Sequence, residues 1–148
     1  MPGNILHPLC KTLIASGALT SSTATAFVMP EGCDTYCLLI YVSAVSGTSP
    51  TADFVIQTSP DGGTTYVNMP LRSTQLTVAG QNWLVFKQGL GGNEVALESP
   101  AASTGGTLAK NCVFDPTKMK LAYTLGGTSP SFTTTLFGLF TPKSSQNR

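Results

Sequence analysis

Apolar and polar positions alternate over short stretches of this chain, and clusters of turn residues separate the stretches. Residues 52–58 show the pattern most clearly. Phe54, Ile56 and Thr58 fall on one side and Asp53, Val55 and Gln57 on the other, the two-residue period of a strand. Residues 36–45 are nearly all apolar, which predicts a central strand. No window of about 11 residues carries an i, i+3, i+4, i+7 apolar stripe, and the abundant Thr and Val favour strand over helix.

Further strands are predicted at 66–69, closed by Pro70, and at 94–98. Residues 75–78 and 82–87 read as a hairpin around Ala79-Gly80-Gln81. Residues 119–125 and 132–140 form a final pair, with Phe132, Thr134, Leu136 and Phe140 on one face and Phe137 and Leu139 on the other. Ser59-Pro60-Asp61-Gly62-Gly63 predicts a tight turn, because Pro pre-sets one φ and Asp-Gly supplies a positive one. Gly89-Leu90-Gly91-Gly92 and residues 99–106 read as loops.

One motif occurs twice, as Gly47-Thr48-Ser49-Pro50 and, 80 residues later, as Gly127-Thr128-Ser129-Pro130. Each copy follows an apolar run containing Tyr (Tyr41, Tyr123) and precedes a run led by Phe (Phe54, Phe132). Both read as β-hairpin turns: Gly takes the unusual φ, the hydroxyls bond the turn backbone, and Pro blocks further pairing. Two copies are too few for a solenoid. They predict two equivalent hairpins, from a duplication, in one antiparallel β-sandwich of about seven to nine strands, jelly-roll or immunoglobulin-like, with the strand order open. The expected organisation is an extended N-terminal arm with the first strands (1–33), the sandwich (34–141) and a polar tail (142–148).

Composition narrows the partners. Charged residues make up 10% of the 148, against about 25% in an ordinary soluble domain. With 21 Thr and 14 Ser, the polar surface is largely hydroxyl and amide. A net charge of +1 provides no basic field for nucleic acid. A hydrophobic content of 41% is too high for a disordered chain. No apolar run approaches the length of a spanning helix, so no membrane is expected. Near the N-terminus, Leu13-Ile14-Ala15 and Ala24-Thr25-Ala26 imitate a signal peptide. Pro8, Lys11, Ser16 and Gly17 interrupt the run and no positive charge precedes Lys11, so the segment reads as mature protein made in the cytoplasm.

Candidate chemistry is sparse. Cys33 and Cys37 supply half a zinc site at most, with no second pair, and Cys10 and Cys112 are isolated. The four thiols read as small buried hydrophobes, with pairing of Cys33 and Cys37 left open. His7, the single histidine, lies between Leu6 and Pro8 with no neighbouring carboxylate or nucleophile to complete a triad. Asp34, Asp53, Asp61 and Asp115 fall at expected strand ends or turns, where Asp bonds the backbone. Glu94 and Glu98 would share one strand face and repel slightly. Asp61-Gly62-Gly63 resembles part of a calcium loop but lacks the alternate acids and terminal Glu. Gly89-Leu90-Gly91-Gly92 has no Lys-Ser/Thr after it and opens no helix, so it is no phosphate loop. Trp83, with Phe86, is a candidate stacking platform for sugar or base, although a lone Trp in a sandwich more often fills the core. The expectation is a non-enzyme with no catalytic, metal or cofactor-binding residues.

The stretches Val42-Ser43-Ala44-Val45-Ser46-Gly47-Thr48-Ser49-Pro50-Thr51 and Ile56-Gln57-Thr58-Ser59-Pro60-Asp61-Gly62-Gly63-Thr64-Thr65-Tyr66 resemble a pattern of small virion proteins of tailed bacteriophages. So does Lys120-Leu121-Ala122-Tyr123-Thr124-Leu125-Gly126-Gly127-Thr128-Ser129-Pro130-Ser131-Phe132. The resemblance covers about residues 36–68 and 118–140 and rests on turn motifs. It implies a β-sandwich and a capsid decoration (cement) protein on the outer surface of a phage head, clamping major capsid subunits. Such a protein would associate with copies of itself, with trimers favoured, and would be made in the bacterial cytoplasm. Residues 1–33 depart from the compact pattern and suit an arm across a neighbour, with Ile5, Leu6, His7 and Leu9 as its contacts. The alternatives are a neck, tail or fibre component, or a carbohydrate-binding sandwich module.

Overall fold

A computed structural model describes residues 9–88 and 107–143, all-β without helix. Seven strands follow in chain order: β1 (Leu9–Leu19), β2 (Thr23–Phe27), β3 (Cys33–Thr58), β4 (Val67–Arg72), β5 (Gly80–Gln88), β6 (Thr107–Cys112) and β7 (Met119–Pro142). They form one sheet in the order β1-β7-β3-β5-β6, with β2 also paired to β7 and β4 to β3. All pairs are antiparallel except β5 with β6, which run parallel.

The frame is the pair of long strands. β3 has 26 residues and β7 has 24, and they pair from Cys33↔Pro142 to Thr58↔Met119. A straight strand of that length would reach about 85 Å, roughly twice the breadth of a compact chain of this size. The pair therefore has to turn a corner. Its register slips between Ser46 and Thr48 and again between Thr48 and Thr51. Gly47, Ser49, Gly127 and Ser129 all take positive φ there, in two strands that cross at Thr48↔Thr128.

This corrects the hairpin reading of the repeated motif. Gly47, Thr48, Ser49, Pro50 and Gly127, Thr128, Ser129, Pro130 are not chain reversals but facing bulges in the middle of β3 and β7. The same residue chemistry serves both purposes, since positive φ and missing ladder bonds make a bulge as readily as a turn. Residues 119–125 and 132–140 likewise belong to one strand and do not pair with each other.

An internal symmetry shows in the pairing. One side of the corner carries the first part of β3 and the last part of β7, and the other side the reverse. β1 against β7 corresponds to β4 against β3, as in Thr12↔Phe137 and Asn68↔Gln57, or Leu19↔Phe132 and Leu76↔Ala52. β2 against β7 corresponds to β5 against β3, as in Phe27↔Met119 and Leu84↔Leu38. Within the long pair, Ile56↔Leu121 answers Leu136↔Ile40 and Phe54↔Tyr123 answers Thr134↔Val42. The molecule thus has a pseudo-twofold through the crossing, relating β1-β2-β3 to β4-β5-β7, with β6 and its flanks inserted in the second unit.

Inward-facing residues from both sides of the corner form one buried cluster, an arrangement compatible with a sandwich. Tyr36, Leu38, Ile40 and Val42 meet Phe132, Leu136 and Phe140 on one side; Phe54, Ile56, Met119 and Leu121 fill the other. Tyr36 stacks on Phe86 at 5.6 Å and meets Phe114 and Phe140 edge-on, and its hydroxyl donates to the Pro30 carbonyl at 3.1 Å. The expected faces hold here: Phe54, Ile56 and Thr58 are buried, as are Phe132, Thr134, Leu136 and Phe140, while Phe137 and Leu139 face outward.

Of the segment expected as an arm with the first strands (1–33), the strands are present, and residues 1–8 lie outside the described residues. β1 is hydrogen-bonded along β7 and β2 brings Phe27 into the core, so the strands at 9–27 are integral to the sheet. Alternation is poor in β1 because its register slips between Thr12 and Ile14 and between Ile14 and Gly17. Pro70 does not end its strand, which runs on to Arg72. The predicted strand at 75–78 reduces to a single bridge, Leu76 to Ala52. The loop, strand and tail expected at 89–92, 94–98, 99–106 and 144–148 lie outside the described residues.

Candidate functional site

The described residues with the most distinctive arrangement lie on the outside of the sheet. Residues paired directly across strands share a face. One outward row reads Trp83, Leu39, Phe137 and Thr12 across β5, β3, β7 and β1; the next reads Val85, Cys37, Leu139 and Cys10. Tyr41 extends the face, 41% exposed, with its ring 6.4 Å from that of Phe137. Trp83, Val85, Cys37, Leu39, Phe137 and Leu139 are half-buried by their neighbours and keep contact with solvent. Beside them Cys10, Lys11, Thr12 and the bare backbone of Gly138 line a shallow cavity of about 390 Å³ against Leu39, Phe137 and Leu139. Gly138 itself turns toward the core, where the ring of Phe140 and the side chain of Leu13 occupy the space a Cβ would need.

The pseudo-twofold supplies a comparison within the same molecule. The row equivalent to Trp83-Leu39-Phe137-Thr12 is Ala26-Lys120-Gln57-Asn68. There the Gln57 amide donates to Asn68 Oδ1 at 2.8 Å and the Lys120 ammonium sits 4.0 Å from the centre of the Tyr66 ring. Asp53 and Arg72 are exposed on the same side. One backbone arrangement therefore presents a polar outer face in one half and an apolar one in the other. Folding alone does not require the apolar side chains.

Trp83 is thus not the core residue that its bulk suggested. It also shares no platform with Phe86, which is buried: three positions along a strand place two side chains on opposite faces. The missed signal was parity, since Trp83, Val85 and Lys87 alternate with Asn82, Leu84 and Phe86, of which the last three are buried on a central strand or at its end.

The remaining candidates are scattered. Cys33 is buried, Cys37 half-buried and Cys10 exposed, all as free thiols; burial raises the thiol pKa of Cys33 and Cys37. The buried-thiol expectation therefore fails at Cys10, because β1 is an edge strand whose outward side chains no neighbour covers. Ile5, Leu6 and His7 lie outside the described residues, while Leu9 is 47% exposed opposite Phe140. Asp61 is a turn residue. Its carboxylate accepts from the Thr65 and Thr64 amides at 2.7 and 3.0 Å and from the Ser59 hydroxyl at 2.9 Å. Those bonds, that of Thr65 foremost, lower its pKa from 3.8 to about 2. Asp115 likewise accepts from the Thr117 amide and hydroxyl. Asp53 accepts from the Gln75 amide group within β3 rather than at a strand end, and Glu94 and Glu98 lie outside the described residues.

Among the described residues no three His, Cys, Asp or Glu side chains converge as a metal site would require. Nor is any helix there long and apolar enough to cross a membrane. Compared with known protein families, with curated proteins and with solved structures, the chain has no match. The class defined by fold and surface is an all-β protein with an apolar outward sheet face.

Proposed function

We propose that this chain is a structural virion protein, a decoration protein that sits on the outer surface of a phage head and stabilises contacts between major capsid subunits. The observation that carries the reading is the apolar face around Leu39 and Phe137, set in a surface where charge is scarce. Interfaces exclude Lys, Glu and Asp from their centres, because such groups must be desolvated. A hydroxyl-rich surface is buried at low electrostatic cost, and symmetry multiplies weak contacts when many copies engage together. The resemblance of residues 36–68 and 118–140 to small virion proteins points the same way.

The test is electron microscopy of purified particles with a count of copies. Density for this chain on the shell, in hundreds of copies, supports decoration. About a dozen copies would instead indicate a ring at the neck or tail, since rings close at small numbers. No density on any particle would end the virion reading.

A second reading is favoured by one observation, the outward placement of Trp83, Tyr41 and Phe137. Half-exposed aromatic rings on a flat sheet face suit stacking on sugar rings. A carbohydrate-binding module would quench or shift Trp83 emission across a glycan panel, and unchanged emission would exclude it.

A further inference from the structure

We infer that the outer face of β1, β7, β3 and β5 is a self-association surface, and that its occupant is the same face of a second copy of this chain. The inference rests on reading that face as a contact surface and not on the virion assignment. It would stand for a protein that never meets a capsid, and on a shell the paired faces would join two copies while the rest of the charge-poor surface met the capsid.

Three observations lead to a second copy. First, the equivalent face on the other side of the pseudo-twofold holds Lys120, Gln57 and Ala26 where this one holds Leu39, Phe137 and Trp83. The apolar side chains are thus a property of one face, and the scaffold tolerates polar residues in their place. Second, no charged residue stands in the two central rows; Lys11 and Lys87 lie at the margins. An uncharged apolar face has no electrostatic preference for an acidic or basic partner, and a net charge of +1 leaves little repulsion between copies. Third, the area lies near the lower limit for a specific interface. Four strands spaced about 4.8 Å apart, over about six residues, present roughly 400 Å² in flat projection, more when pleated. Two such faces together approach the roughly 1,000 Å² at which specific interfaces begin. A face that packs on its own copy is isologous, so each Leu39–Phe137 patch covers its twin at the usual sheet-to-sheet spacing of about 10 Å. Interfaces at this lower end of the size range are weak and transient, so association is sought at micromolar concentrations and above.

The only tryptophan of the chain lies in this face, so its emission reports burial there directly. The experiment follows the full-length protein from about 1 to 200 µM by sedimentation and by Trp83 fluorescence. Expected is a concentration-dependent rise to twice the chain mass, accompanied by a blue shift. Leu39→Lys and Phe137→Gln install what the molecule already carries at Lys120 and Gln57, so both should fold with unchanged far-UV circular dichroism. Each should weaken dimerisation at least tenfold and abolish the blue shift. Gln57→Ala, on the polar face, should leave the dimer intact.

Several results would overturn the inference. One is wild-type protein that stays monomeric throughout, including a monomer whose Trp83 emission shifts only with glycan or capsid. Another is a dimer that survives both variants with its blue shift unchanged. A particle of three copies would also do so, since one isologous face joins two. Loss of shell binding with the dimer intact would count against the virion proposal alone.

Discussion

Replacing Gly127 by Ala should damage the fold far more than the same change at Gly62, although both glycines have positive φ. At Gly127 (φ 96°) an added Cβ would lie 2.5 Å from the Ser49 carbonyl oxygen and 2.7 Å from that of Thr48. Both are backbone atoms of the facing bulge, held by pairing on either side, and cannot swing away. At Gly62 (φ 77°) the Cβ would meet nothing within 4 Å. The conformational penalty common to both is about 1–2 kcal/mol. Overpacking a fixed site adds about 1–3 kcal/mol more, so Gly127→Ala should cost about 3 kcal/mol or more. For a domain of this size that lowers Tm by roughly 9 °C, against about 4 °C for Gly62→Ala. Gly47, its pseudo-twofold mate, should behave like Gly127, because its Cβ would fall 2.7 Å from the Ser129 carbonyl oxygen. Urea and thermal melts followed by circular dichroism give the comparison. If Gly127→Ala and Gly62→Ala lose the same stability, the repeated motifs are open turns after all and the crossed-bulge account is wrong.

Phe140→Ala, which empties a fully buried site against Tyr36, should lower stability by about 3–5 kcal/mol in the same melts. The folded pKa of Asp61 is depressed from 3.8 to about 2, so its stabilising contribution is complete above the unfolded value and is lost as pH falls through that interval. Tm should therefore fall between pH 4 and pH 2, and Asp61→Asn should make that fall shallower. Timed alkylation read by mass spectrometry should label exposed Cys10 well before Cys33, which is buried and has a raised thiol pKa; equal rates would contradict the placement of β1 and β3. Removing residues 1–9 should weaken attachment to shells while the far-UV spectrum is retained, since among the described residues the deletion costs only the Leu9↔Phe140 pair. Full attachment after the deletion would dismiss a role for Ile5, Leu6, His7 and Leu9.

Strand content and facing were legible wherever one side of the strand is buried throughout. Phe54, Ile56 and Thr58, or Phe132, Leu136 and Phe140, announce their face because alternation follows from the pleat itself. The edge strand β1 was not legible, because bulges break its alternation and its outward side meets solvent. The internal symmetry was visible through one four-residue motif, and its extent was hidden because equivalent positions such as Phe54 and Thr134 share burial and not chemistry.

By itself the sequence determined an all-β chain, poor in charge, with a repeated Gly-Thr-Ser-Pro element needing positive φ. These are local properties, set by propensity, pleat and backbone sterics, and they need no partner strand. Only the tertiary structure decided that the two motifs face each other across one corner rather than closing two hairpins. That depends on which distant strand each segment pairs with, and the same φ values serve either outcome. The outward placement of Trp83, Leu39 and Phe137 was decided in the same way. An apolar residue on a strand has two faces available, and only the assembled sheet shows which one the core leaves uncovered.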